Sequence, residues 1–152
     1  TSGTISSGSY PLEIRKLYPD IVVSGEACPM WVPLVENYEY DSPGADYFVE
    51  KRIGNLLRKD PAIDTIVLGC THYPLLLNKI LKYTPRNVRI VPQGEYVAYS
   101  LKDYLQRHTE IETLCTQSGT CRFLTTESPD KFMESASIFL RQHVEAERVV
   151  LE

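Results

Sequence analysis

The stretch Asp64-Thr-Ile-Val-Leu-Gly-Cys-Thr-His-Tyr-Pro-Leu-Leu76 decides how this chain is read. Residues 65–68 form a short apolar run of the kind that makes a buried strand, and Gly69 ends it. Cys70, Thr71 and His72 follow, and then Pro74 opens a helix at the position where its missing amide hydrogen has no partner to lose. In a parallel α/β sheet, ligands and chemistry collect beyond the carboxyl ends of strands, so these three polar residues stand where a site is expected. A thiol ahead of a helix start, with an imidazole and a hydroxyl beside it, can serve as a base or a nucleophile. The same residues also read as a structural cysteine at a strand end, and spacing alone leaves both readings open.

Working outward, Val49, Ile53, Leu56 and Leu57 share one face of a helix that follows Pro43-Gly44 and ends at Arg58-Lys-Asp60. Beyond the central stretch, the helix from Pro74 to Lys82 carries Leu76, Leu77, Ile80 and Leu81. A strand at 88–91 comes next, then a helix with Val97, Leu101, Tyr104 and Leu105 on one face. At the start, residues 1–9 are nearly all Thr, Ser and Gly and read as a loop able to hold a small anion. A helix with Tyr10, Ile14, Leu17 and Tyr18 in register is expected to pack on a sheet. Residues 20–24 read as a strand closed by Gly25, and 26–36 as irregular because Pro29 and Pro33 both remove amide donors. Towards the end, strands at 112–116 and 121–125 flank a hairpin loop. A helix capped by Ser128 follows, with Phe132, Ala136, Phe139 and Leu140 at helical spacing, and a strand at 148–151 closes the chain. Strands alternating with helices predict an α/β fold with an open, mainly parallel sheet flanked by helices.

The 152 residues, 43% of them hydrophobic, suffice for one domain or for pieces of two. The chain opens at Thr1 inside a motif and without an initiator methionine, from which a fragment is expected. A net charge of −4 supplies no basic field, which argues against nucleic acid as a partner. No apolar run approaches the roughly 20 residues that span a bilayer, so a cytoplasmic protein without membrane contact is expected. Of the four cysteines, Cys28 reads as a packed small hydrophobe. Cys115 and Cys121 are expected to face one another across the hairpin as reduced thiols, with a disulfide or metal site as the alternative. Glu36 reads either as a buried carboxylate that orients a histidine or as a solvated residue before the acidic run to Asp41. His108 and His143 lie near helix ends and receive no role. The ten tyrosines are spread over helices and loops and read as packing.

Four segments, in order, resemble the C-terminal part of bacterial glutamate racemase, of the aspartate/glutamate racemase family. They are Thr1-Ser-Gly-Thr-Ile-Ser-Ser-Gly-Ser-Tyr10, Ala27-Cys-Pro-Met-Trp-Val-Pro-Leu-Val-Glu36, Ile66-Val-Leu-Gly-Cys-Thr-His-Tyr-Pro-Leu75 and Arg122-Phe-Leu-Thr-Thr-Glu-Ser-Pro-Asp-Lys-Phe132. The resemblance implies a cofactor-independent enzyme that interconverts L- and D-glutamate, the latter a building block of peptidoglycan. It implies no metal. Racemisation takes a proton from Cα on one face and returns one on the other, so two acid/base groups must flank the carbon. By resemblance Cys70 is one of two catalytic cysteines, Thr71 binds substrate, and His72 assists the thiol and contacts substrate. Glu36 is an auxiliary acidic residue on the same side, and Thr1 and Thr4 lie near the substrate carboxylate.

The family's first catalytic cysteine, with its Asn-Thr neighbours, has no counterpart in this sequence, nor have its Asp-Ser and Pro-Tyr-Gly substrate segments. Cys28, Cys115 and Cys121 do not match that motif. Pro92-Gln-Gly-Glu95 stands where an Asp-Ser-Gly-Glu type of run is usual. The resemblance places residues 1–91 in most of the second racemase domain and has 92–152 return to complete the first. The full-length protein can form a homodimer on this reading. An aspartate racemase is the rival within enzymes, and a noncatalytic binding or interaction module that keeps the fold is the rival outside them.

Overall fold

The computed structural model describes residues 1–117, 119–140 and 142–151. The chain divides into two compact units, Thr1–Ser100 and Leu101–Glu152, each with its own pair of parallel strands. The α/β class and the parallel pairing agree with the sequence, although the strands form two two-stranded sheets rather than one.

In the first unit, β1 (Thr65–Leu68) pairs in parallel with β2 (Arg89–Pro92), Thr65 opposite Arg89 and Leu68 opposite Pro92. Ile66 and Leu68 point into the core. The connection between them is a 3-10 turn, Tyr73–Leu76, that runs into a helix, Leu77–Tyr83. The longest helix, Pro43–Lys59, begins earlier than Pro43-Gly44 suggested. Ser42 caps it by accepting from the Ala45 amide at 3.2 Å, and Pro43 takes the tolerated first position. Its buried face is Ala45, Val49 and Ile53, against which Val35, Leu76 and Ile80 complete the core.

Three expectations for this unit are corrected. The Thr/Ser/Gly run is not a loop: it forms α1 (Ser2–Ser7), with Thr1 as N-cap, and Gly8 at φ 63° separates α1 from α2 (Ser9–Leu17). The side chains of such residues can close a short helix by local bonds, as Ser7 does to the Thr4 carbonyl. Residues 20–24 form no strand; Ile21 and Val22 are exposed, and the segment has no ladder. Just after it, side chains anchor the chain: the nearly buried Glu26 carboxylate accepts from Arg52, Lys59 and Asn55, and Lys59 also reaches the Gly25 carbonyl. Between this segment, α2 and β1 lies an apolar cavity of about 850 Å³.

The third correction concerns residues 26–36, where α3 spans Trp31–Glu36. Pro33 falls within the first turn of that helix, where it removes no needed donor. The helix ends in a Schellman pattern, Tyr38 N–H to Val35 C=O and Glu39 N–H to Leu34 C=O, with Tyr38 at φ 59° where glycine is usual.

A long helix, α6 (Gln93–Arg107), follows β2; its apolar face of Val97, Leu101 and Tyr104 is exposed. In the second unit the expected hairpin is absent among the described residues, Ser118 of its loop lying outside them. A short helix, α7 (Thr109–Glu112), stands there, and 113–115 continue as turns with their amides bonded to the carbonyls of Thr109, Ile111 and Glu112, so none of these three amides is left for a strand. Cys115 and Cys121 are both free and exposed and do not face one another across paired strands. Strand β3 (Phe123–Thr125) pairs in parallel with β4 (Ala146–Arg148) through the crossover helix α8 (Pro129–Leu140), so the closing strand begins two residues and ends three residues earlier than expected. Among the described residues no helix is long and apolar enough to cross a membrane.

Candidate functional site

The site is built where the chain leaves β1. Gly69 and Cys70 carry it off the strand, Thr71 and His72 form a turn, and the Tyr73 amide bonds back to the Cys70 carbonyl at 3.2 Å. This turn holds the Cys70 thiol near the His72 ring, with Sγ 3.9 Å from Nδ1. Thr71 Oγ1 lies 3.5 Å from the same nitrogen. On the other side of the ring, Nε2 lies 3.2 Å from Glu36 Oε1. The structure therefore brings four residues picked from sequence, Cys70, Thr71, His72 and Glu36, into one line of polar contacts.

Glu36 enters that line from the end of α3. Two aromatic contacts place the helix: Trp31, 2% exposed, donates from its indole to the Phe48 carbonyl and meets the Tyr73 ring edge-on at 4.7 Å. Tyr73 follows His72 directly, so packing of Trp31 on Tyr73 ties the carboxylate-bearing helix to the thiol-bearing turn. The carboxylate itself is 59% exposed, so the buried-carboxylate reading of Glu36 is corrected to that of a solvated one that still reaches the imidazole.

Thr1 and Thr4 approach the same corner from α1. Their hydroxyls share a hydrogen bond at 2.8 Å, and the Thr1 amino nitrogen lies 3.4 Å from the Tyr73 hydroxyl. Both line the apolar cavity, as do Tyr73 and Gly69.

Cys28 sits behind this corner, 7% exposed, and burial followed by the nearby Glu26 carboxylate pushes its thiol up to about 12. Burial likewise raises the Tyr73 phenol above its ordinary range, with the Cys28 and Cys70 thiols adding to it. Both groups stay neutral near neutral pH and pack rather than titrate. The packing reading of Cys28 therefore holds. Sequence reasoning passed over Trp31 and Tyr73 as functional supports; the aromatic pair at 31 and 73 carries no periodic or spacing signal, because the two residues meet only through the fold.

No protein-family model matches the sequence. Among curated proteins, the glutamate racemase of Thermoanaerobacter sp. (strain X514) is 37% identical over 145 residues, 95% of this chain and 53% of that protein. Among solved structures, a glutamate racemase isoform from Bacillus anthracis superposes with a TM-score of 0.87 at 31% identity, covering 99% of this chain and 55% of that one. The glutamate racemase of Thermus thermophilus, crystallised with beta-chloro-D-alanine, gives 0.74 at 31% identity over 99% and 54%. The chain spans about half the length of the relatives it matches. Along nearly its whole length it is thus similar to glutamate racemases, and it shares the fold of the part of them that it covers.

Proposed function

We propose that this chain carries one side of the active site of a cofactor-independent glutamate racemase, with Cys70 as one of its two acid/base groups. The line from Glu36 through His72 to Cys70 supports this reading most directly. As a thiolate, Cys70 takes the α proton of one glutamate enantiomer; as a thiol, it returns a proton to the carbanion formed from the other. His72 lies between the thiol and a carboxylate, so it can pass charge and proton to Cys70 while Glu36 steadies its cationic form. Thr71, Thr1 and Thr4 offer hydroxyls to the substrate carboxylates. A solved relative that holds beta-chloro-D-alanine adds weight to a D-amino acid as ligand.

One thiol serves one face of Cα, so the partner acid/base must come from sequence outside these 152 residues. In the same reading residues 1–91 make most of one racemase domain and 92–152 return to complete the other. The full-length protein works in the cytoplasm, where D-glutamate enters peptidoglycan precursors, and it can pair as a homodimer.

The test is circular dichroism of L-glutamate and L-aspartate incubated separately with the full-length protein and with the 152-residue chain. Loss of signal from glutamate with the full-length protein alone is expected. Sustained racemisation by the short chain, or preference for aspartate, would contradict this reading.

A further inference from the structure

Gln93 opens α6 one residue after β2 ends, and its side-chain amide nitrogen has two partners, the Tyr10 hydroxyl at 2.6 Å and the Leu68 carbonyl at 3.0 Å. A primary amide has two hydrogens, so both can be served at once. Leu68 is the last residue of β1, opposite Pro92, which brings no N–H to this end of the ladder. The Gln93 side chain supplies a donor there, at the point where the chain leaves for Gly69 and Cys70.

Tyr10 closes the same corner from α2. Its ring carbon Cζ and its hydroxyl lie 3.5 Å from where a Cβ would stand on Gly69, so any side chain at the residue before the thiol would meet the Tyr10 ring. The Cys70 to His72 distance of 3.9 Å is long even for a sulfur hydrogen bond. A small rotation at Gly69 therefore makes that contact or loses it.

We propose that Gln93, braced by Tyr10, is a positioning residue that sets the Cys70 thiol against His72 by fixing the Leu68 carbonyl. It acts through the backbone of the strand end rather than by contact with the reacting atoms. The sequence run Pro92-Gln-Gly-Glu95, which departs from the usual pattern at this place, supplies this device. The inference rests on Cys70 being the reactive thiol of the proposed function, but its test needs no turnover, so the two can fail separately.

The experiment uses the full-length protein and its Gln93→Ala, Gln93→Glu and Tyr10→Phe variants. Alkylation by iodoacetamide is followed at each cysteine by peptide mass mapping, with the thermal midpoint measured alongside. Gln93→Glu keeps the chain length and removes both donors. The Cys70 rate is expected to change several-fold in both Gln93 variants and in the same direction but less in Tyr10→Phe, while Cys28, Cys115 and Cys121 keep their rates. An unchanged Cys70 rate in the Gln93 variants would overturn the proposal. So would a parallel rise at buried Cys28, which would mark general loosening rather than loss of positioning.

Discussion

The Nε2 of His72 lies 3.2 Å from the Oε1 of Glu36, and this contact joins the end of α3 to the turn that carries Cys70. If the pair supports proton transfer at the thiol, removing the ring costs more than neutralising the carboxylate. In the full-length enzyme, His72→Asn is expected to lower kcat by about 100-fold, the lower range for one acid/base group. Glu36→Gln is expected to lower it less, since a solvated carboxylate interacts weakly. Steady-state rates from circular dichroism in both directions check the order, and equal rates in all three proteins would refute the role of the pair.

Reactivity should rank the thiols by exposure. Cys115 and Cys121 are exposed and Cys70 is half-buried, whereas Cys28 is buried with its thiol pushed up to about 12. Near neutral pH, iodoacetamide is expected to label Cys115, Cys121 and Cys70 in the native protein and to spare Cys28 until denaturant is added. Rapid labelling of native Cys28 would show that its apolar surroundings are open.

Acid should loosen the packing of α4 (Pro43–Lys59) on α5 (Leu77–Tyr83) through Asp46. Its carboxylate accepts from Lys79, Lys82 and Tyr83, and these bonds hold it well below its ordinary value of 3.8. A depressed folded-state value means that the unfolded chain binds the proton first. The stabilisation is therefore present above 3.8 and lost as pH falls towards the folded value. Asp46→Asn is expected to lower the thermal midpoint near neutral pH and to flatten its fall in acid. An unchanged pH profile in the variant would remove Asp46 from the account.

Core packing around the site should be sensitive to volume. Ile80 is fully buried in α5, which packs on α4, so Ile80→Ala is expected to cost about 2–5 kcal/mol by removing packed atoms and leaving a cavity. Urea unfolding measures this, and a loss near zero would mean that the two helices do not share a fixed core.

The parts of the fold legible in the sequence are those decided locally. Strand β1 falls at residues 65–68 as read, because a short β-branched run before glycine has few other uses. The Ser128 and Pro129 signal places the start of α8 for a similar reason. The misreadings lie where long-range pairing decides. Residues 20–24 have strand composition but pair in no ladder, and side-chain bonds from α4 anchor the chain just after them, at Gly25 and Glu26. Residues 112–116 read as a strand, yet Glu112 ends a short helix and local amide bonds close 113–115 into turns. Of the site, Cys70, Thr71 and His72 were marked by their position after a strand. The residues alone left Glu36 with two readings and the family resemblance set it beside Cys70, since 33 residues of intervening chain separate the two. The supports Trp31 and Tyr73 left no trace in the sequence pattern.

The central claim is that Cys70 is one of two acid/base groups for the α carbon of glutamate. Circular dichroism of the full-length enzyme with Cys70→Ser, started from L-glutamate and separately from D-glutamate, tests it most directly. Most turnover is expected to be lost in both directions, because each direction needs one group to take the proton and the other to return it. Near-normal rates from both enantiomers would contradict it.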